Sequence, residues 1–330
     1  MSFANQRPAG FKNYVERIAI VGAGGQSGGY MVAELLKAGK KVSAITREDS
    51  TSKVPEGVEI KRIKYEDQSS IVEALKGQEV LIITMSVMAP PEQQRKLIEA
   101  AAAANVPWVL PNEFGNDNAN VEMRNDVIIN SSKTQYRDQI EKLGVSSWIG
   151  FACNFWYEYS LGGGHYGIDI KNRKATFYDD GKTRLNTTTF AQVGRGVAGL
   201  LNLKVLPDSE DDKSPCLSNF KNKFVYVSSF CVNQEEMLES IKRVTNTADK
   251  DWQIEYRPIS EVFQEGLEKF KSGDRMGMIA VLYGRNFFKD DAGNYEKTKG
   301  LQNDVFKLPK EDLDEATKIA VQRAEEGKRF

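Results

Sequence analysis

The sequence predicts an α/β chain, with a doubly wound parallel sheet in its first half and a smaller α/β lobe in its second. Three observations carry that expectation. The first 150 residues alternate short β-branched apolar runs with stretches of helical spacing, a pattern that calls for parallel strands joined by right-handed helical crossovers. The run Val80-Leu81-Ile82-Ile83 is apolar throughout, as a strand covered on both faces must be. The first apolar run also leads straight into a glycine-rich turn and then a helical pattern.

Taken in order, Arg17-Ile18-Ala19-Ile20-Val21 is the first strand, and Tyr30 to Ala38 a helix that Gly39 stops. Lys41 to Thr46 and Val58 to Tyr65 read as the second and third strands. Ile71 to Leu75 is a short helix, closed by Gly77. Glu79 to Met85 is the fourth strand, Pro91 to Asn105 an alanine-rich helix, and Trp108-Val109-Leu110 the fifth strand. One helix is expected over 122–143, ended by Gly144, and a sixth strand over Ser146 to Ala152. Beyond residue 152 the rhythm changes. Ala175 to Phe190 predicts a hairpin turning at Asp179-Asp180-Gly181, and Gln192 to Leu203 a helix. Pro207 to Pro215 is an acidic linker, Lys223 to Phe230 one strand, Gln234 to Val244 a helix and Trp252 to Tyr256 a strand. Helices follow over Ser260 to Lys271, Met276 to Phe288, and from Leu308 towards Glu326. The expected division is 1–152 for the nucleotide-binding half and 153–330 for a lobe that mainly binds substrate, some of its elements packing back on the first sheet.

Composition narrows the function. The 330 residues carry 45 Lys and Arg against 46 Asp and Glu, so nothing in the charge predicts nucleic acid or an anionic membrane as partner. Met1 to Arg17 has no apolar signal-peptide core, and no apolar run approaches the roughly 20 residues of a membrane helix. Cys153, Cys216 and Cys231 show no metal or redox spacing, and His165 is the sole histidine. A cytoplasmic protein without a metal, monomeric or homodimeric, acting on a small molecule, is the expectation.

The glycine turn is the most informative segment. Gly22-Ala23-Gly24-Gly25-Gln26-Ser27-Gly28 stands between a buried strand and a helix, where bare backbone lets a pyrophosphate approach and the helix start offers free N–H groups. It breaks the GxGxxG form, because position 27 is Ser, but satisfies GxxGxxG at Gly22, Gly25 and Gly28. This is the doubly wound parallel Rossmann sheet with its dinucleotide turn. Arg47 follows the second strand, 19 residues after Gly28, where an NAD enzyme carries an acid. An Arg at that place pairs with the 2′-phosphate of NADP, and Lys53 adds to the pocket. Glu48 and Asp49 directly after it keep the NAD alternative open. Met85 and Ser86, which end the fourth strand, are expected to border the adenosine and pyrophosphate.

For proton transfer, the Tyr-x-x-x-Lys spacing occurs at Tyr178…Lys182 and Tyr295…Lys299, neither on the helix before the sixth strand. On that helix the candidates are Lys133 and Tyr136. A lysine desolvated beside a cofactor has its pKa drawn towards neutrality and can shuttle a proton. Spacing alone favours a solvated helix lysine over a functional one.

Val21 to Gly28, Thr46-Arg47, Leu110-Pro111-Asn112-Glu113-Phe114-Gly115 and Lys133…Ile140-Glu141-Lys142-Leu143-Gly144 resemble the isoflavone reductase-like, NmrA-like group of atypical short-chain dehydrogenases, most of all its fungal CipA-like oxidoreductases. The likeness covers nearly the whole chain. Plant members have Thr where Gly24 stands, a departure at the turn itself. The resemblance implies an NADPH-dependent reductase that transfers hydride to a small, aromatic secondary metabolite, with Lys133 as general acid or base and Arg47 on the 2′-phosphate. It also implies that Asn112, Glu113 and Phe114 border the cofactor and that Asn154 and Phe155 line its nicotinamide side. Phe114, Phe155, Trp156 and Tyr157 are candidates for an aromatic substrate wall, and His165, after Gly162-Gly163-Gly164, for a loop contact with substrate. The alternative is an NADP-binding sensor of the NmrA-like type that performs no chemistry.

Overall fold

A computed structural model describes residues 3–86, 89–127 and 132–327, the Arg275 side chain excepted. Seven parallel strands make the central sheet: β1 (Arg17–Val21), β2 (Lys41–Arg47), β3 (Glu59–Ile63), β4 (Val80–Ile83), β5 (Trp108–Leu110), β6 (Ser147–Ala152) and β11 (Lys223–Tyr226). Their order across the sheet is β11-β6-β5-β4-β1-β2-β3. The chain runs outward from β1 through β2 to β3, then returns to β4 on the other side of β1. The carboxyl ends of β1 and β4 therefore bound the crevice where such sheets take their ligands.

Apolar periodicity explains the layers. Helix α1 (Gln26–Lys37) turns Met31, Val32 and Leu35 to one face of the sheet, where α7 (Phe190–Leu201) packs beside it through Val193, Val197 and Leu200. The other face is covered by α2 (Gln68–Leu75), α3 (Pro91–Ala103) and α5 (Thr134–Leu143), with Ile71, Leu97, Ala101 and Ile140 in one cluster. Strand β4, buried at all four residues, lies between the two layers. Local signals set the ends: the Asp67 side chain accepts from the Ser69 and Ser70 amides at the start of α2, and Gly144, at φ 71°, ends α5.

The second lobe has its own core and two small sheets. One orders β12 (Phe230–Val232), β10 (Leu185–Thr188) and β7 (Phe155–Trp156); the other orders β13 (Gln253–Arg257), β9 (Lys174–Tyr178) and β8 (Ile168–Asp169). Around them lie α6 (Tyr157–Gly162), α8 (Gln234–Thr245), α9 (Ile259–Lys271), α10 (Arg275–Gly284), α11 (Tyr295–Lys299) and α12 (Leu313–Glu325).

Four local expectations are corrected. The hairpin over 175–190 does not form, because β9 and β10 belong to different sheets and the Asp179 amide bonds to the Arg257 carbonyl of β13. The strand expected over 223–230 is two: β11 completes the central sheet beside β6, and the chain then bends at Ser228 and Ser229 to place β12 against β10. The helix expected over 122–143 is α4 (Val121–Asp126) and α5, with 128–131 outside the described residues. Lys133 thus stands at the α5 start, not within a long helix. The last helix begins at Leu313, where Asp312 caps it, and not at Leu308.

Candidate functional site

The glycine turn fills the crevice between β1 and β4. Gly22 has φ +88°, and a Cβ there would lie 2.1 Å from the Thr84 carbonyl oxygen just past β4. A Cβ on Gly28 would meet the Gly22 carbonyl oxygen at 2.0 Å, and one on Gly24 the Lys53 carbonyl oxygen at 2.4 Å. Each obstacle is backbone, so no side chain fits. Helix α1 starts from Gly25 with no side-chain cap, and its first amides and dipole face an open turn. The Ser27 and Thr84 hydroxyls, 2.9 Å apart, tie the turn to the end of β4.

Beyond β2 the chain folds back over Gly24, which brings Lys53 to the turn. Arg47 ends β2 with its side chain 59% exposed, 3.6 Å from Asp49, while Glu48 pairs with Lys64 at 3.0 Å. Sequence reasoning overlooked Arg62. On β3 it is in register with Thr46 of β2, and it donates to the Glu48 carbonyl at 2.9 Å, which fixes the backbone of the loop behind Arg47. Its signal was a basic residue in register with the end of β2.

On the other side of the crevice, Met85, Ser86, Asn112 and Lys133 line one cleft of about 90 Å³ with Pro90, Pro91, Gln94 and Tyr136. The Asn112 amide donates to the Met85 carbonyl at 2.9 Å, and the Tyr136 hydroxyl to the Pro91 carbonyl at 3.2 Å. Lys133 is half-buried. Desolvation holds its pKa below the usual lysine value; the nearby Glu113 charge opposes that and Arg137 reinforces it. Glu113 itself is 1% exposed and committed to Arg137 at 2.5 Å and to Asn118. A larger cavity of about 800 Å³, lined by Phe11, Glu79, Trp108 and Ser147, lies at the amino ends of the strands, opposite the glycine turn.

The segment after β6 turns sharply at Asn154, a non-glycine residue at φ 50°. Its side-chain amide donates to the Asn186 carbonyl at 2.8 Å and the Asn286 side-chain oxygen at 3.1 Å, yet its own Oδ1 is buried with no partner. Such an orphan acceptor marks a place for a ligand donor. Phe155 stacks on Tyr283 at 3.8 Å between centroids, and Trp156 on Phe190 at 5.0 Å. The proposed aromatic wall divides here. Phe114 packs on Phe151 in the sheet core, and Tyr157 is fully buried with its hydroxyl on Thr317. His165 lies half-buried between the rings of Tyr159 and Tyr283. Of the two Tyr-Lys pairs, Tyr295 is buried and donates to the Val227 carbonyl.

The residues present fit a dinucleotide: a cradle in which Gly22, Gly24 and Gly28 leave no room for a side chain, an uncapped helix start, cations at one end and an orphan acceptor at the other. Among the described residues no group of three or more His, Cys, Asp or Glu is placed to hold a metal, and no helix is long and apolar enough to cross a membrane. Comparison with known proteins gives a family match and several structures of the same fold. Residues 15–161 match the NmrA-like family. Oxidoreductase aprR of Aspergillus flavus is 25% identical over 306 residues, covering 91% of this chain and 96% of that protein. Among solved structures, an isoflavone reductase superposes with a TM-score of 0.72 at 22% identity, covering 92% of this chain and 98% of that one. The leucoanthocyanidin reductase–NADPH complex of Vitis vinifera gives 0.70 at 16% identity, covering 93% and 99%. These structural likenesses establish the shared α/β fold.

Proposed function

We propose that this chain, whose residues 15–161 match the NmrA-like family, is an NADPH-dependent oxidoreductase that reduces a small, aromatic metabolite. The observation that carries the reading is the half-buried Lys133 in the same cleft as Met85, Ser86 and Asn112, at the carboxyl edge of a sheet whose turn leaves no room for a side chain at Gly22, Gly24 or Gly28. The oxidoreductase relative aligned along almost its whole length supports the reaction class.

Gly22, Gly24, Gly25, Gln26, Ser27 and Gly28 hold the pyrophosphate through backbone N–H groups and the α1 dipole. Arg47 and Lys53 take the 2′-phosphate. The bound dinucleotide supplies the hydride. Asn154 and Phe155 border its nicotinamide end, where the unpartnered Asn154 Oδ1 accepts a ligand N–H or O–H. Lys133 Nζ gives a proton to, or takes one from, the substrate heteroatom, and desolvation brings its pKa towards the range where both directions are accessible. Residues 153–330 mainly supply the substrate side, with Trp156 and His165 as contacts.

The test is NADPH oxidation by the wild type and Lys133→Ala with a panel of aromatic enones, ethers and imines. The variant is expected to lose at least about 100-fold in kcat, the usual worth of general acid–base help. Full activity of the variant on a substrate that the wild type reduces would remove Lys133 from the chemistry. A wild type that binds NADPH but turns over nothing in the panel would favour a sensor.

A further inference from the structure

The last helix places one cation beside the glycine turn. Arg323, on α12, donates from Nη2 to Gln26 Oε1 at 3.4 Å, across 297 residues of chain. Gln26 is the first residue of α1, at the uncapped turn. The contact is held by close packing: α12 lies on α6 at Gly162, where a Cβ would come 2.7 Å from the Ala320 carbonyl oxygen and 3.1 Å from Arg323 Cβ. The guanidinium lies 5.5 Å from the centroid of the Tyr159 ring, and its Nε is buried with no partner.

Two further orphan atoms belong to the same cluster. Trp156 stacks on Phe190 and meets Tyr159 edge-on, and its Nε1 is buried without an acceptor. Glu158, 4% exposed, accepts the Phe190 amide at 2.9 Å through Oε1, while its Oε2 has no partner. Three unpartnered polar atoms around one pair of rings, next to the first turn of α1, leave a demand that protein groups do not meet. Burial raises the Glu158 pKa to about 7, which lessens the negative charge beside Arg323 as pH falls.

We propose that Arg323 is a further dinucleotide-binding residue, which donates to the pyrophosphate beside Gln26 and so closes the C-terminal helix over the cradle. The proposal rests on the cofactor reading above. It adds to the cradle a charge-assisted donor that no glycine motif announces.

Titration calorimetry with three probes separates the possibilities: NADPH; 2′-monophosphoadenosine 5′-diphosphoribose, which keeps the pyrophosphate but lacks nicotinamide; and adenosine 2′-monophosphate, which lacks both. Arg323→Gln is expected to weaken the first two about tenfold and leave the third within about twofold, with Arg323→Lys recovering part of the loss. Unchanged binding of the two diphosphates would overturn the proposal. So would an equal loss for all three probes, which would mark a structural role. A wild type that binds none of the probes would sink the cofactor reading, and this proposal with it, whereas wild-type binding with an indifferent Arg323→Gln sinks the proposal alone.

Discussion

Replacing Glu158 by Gln should convert a pH-dependent liability into a pH-independent contact. Glu158 is 4% exposed, and its carboxyl receives one backbone N–H, from Phe190. Burial is the main cause of a pKa raised from 4.5 to about 7; the nearby Glu311 charge raises it further, while Arg323 opposes. Because the folded-state value lies above the unfolded one, this group's contribution to stability is complete below pH 4.5. It is lost as pH rises through 7, since the unfolded chain releases the proton first. Over that interval the change is about 3 kcal/mol, and about 2–3 kcal/mol of it falls between pH 5 and 8. Gln keeps an acceptor for Phe190 and cannot ionise. Urea unfolding of both proteins at pH 5 and pH 8 should therefore show Glu158→Gln gaining about 2–3 kcal/mol on the wild type at the higher pH. A difference between the two proteins that stays flat within about 0.5 kcal/mol would mean that Glu158 is solvated, and the reasoning from burial would fail.

Three other perturbations follow from the same geometry. Gly28→Ala drives a methyl into the Gly22 carbonyl, so it should cost at least about 2 kcal/mol of stability and abolish NADPH binding; retained fluorescence enhancement of NADPH would contradict this. Arg137→Met leaves the Glu113 carboxylate buried and short of its ion partner, with an expected loss of about 3–5 kcal/mol. Chemical denaturation showing under about 1 kcal/mol would count against a buried ion pair there. Arg47→Ala should weaken NADPH by about one to two decades and spare NADH, as read by fluorescence titration; equal loss for both nucleotides would remove Arg47 from the 2′-phosphate.

The central sheet was legible because its signals are local. Apart from the charged β3, the strands β1 to β6 are largely apolar runs next to helical patterns, and the turn carries its glycines within seven residues. The second lobe was less so. Leu185–Thr188 is buried at all four residues although three of them are polar, because Asn186, Thr187 and Thr188 bond to backbone or side-chain partners brought from residues 153–155 and 227–228. No periodicity within 175–190 encodes that, so a hairpin was the local answer. In the candidate site, Lys133 was found by its place before the sixth strand and by the family resemblance, but its half-buried cleft depends on Asn112 and Met85 arriving from other strands. Arg62 and Arg323 were invisible for the same reason: one acts through strand register, the other through a helix about 300 residues away from the turn it touches.

Strand β11 carries a consequence for how the chain is made and cut. It pairs Lys223 to Tyr226 with Ile149 to Ala152, so the sheet that begins at Arg17 is not complete until residue 226 has left the ribosome. Until then β6 is an open edge, a template for pairing with another nascent chain. A fragment ended at residue 152 keeps that edge bare, and a chimaera joined at 152 imports a foreign seventh strand along with its new partner. Grafts between relatives should instead be joined after 226, or carry 223–226 with the first half.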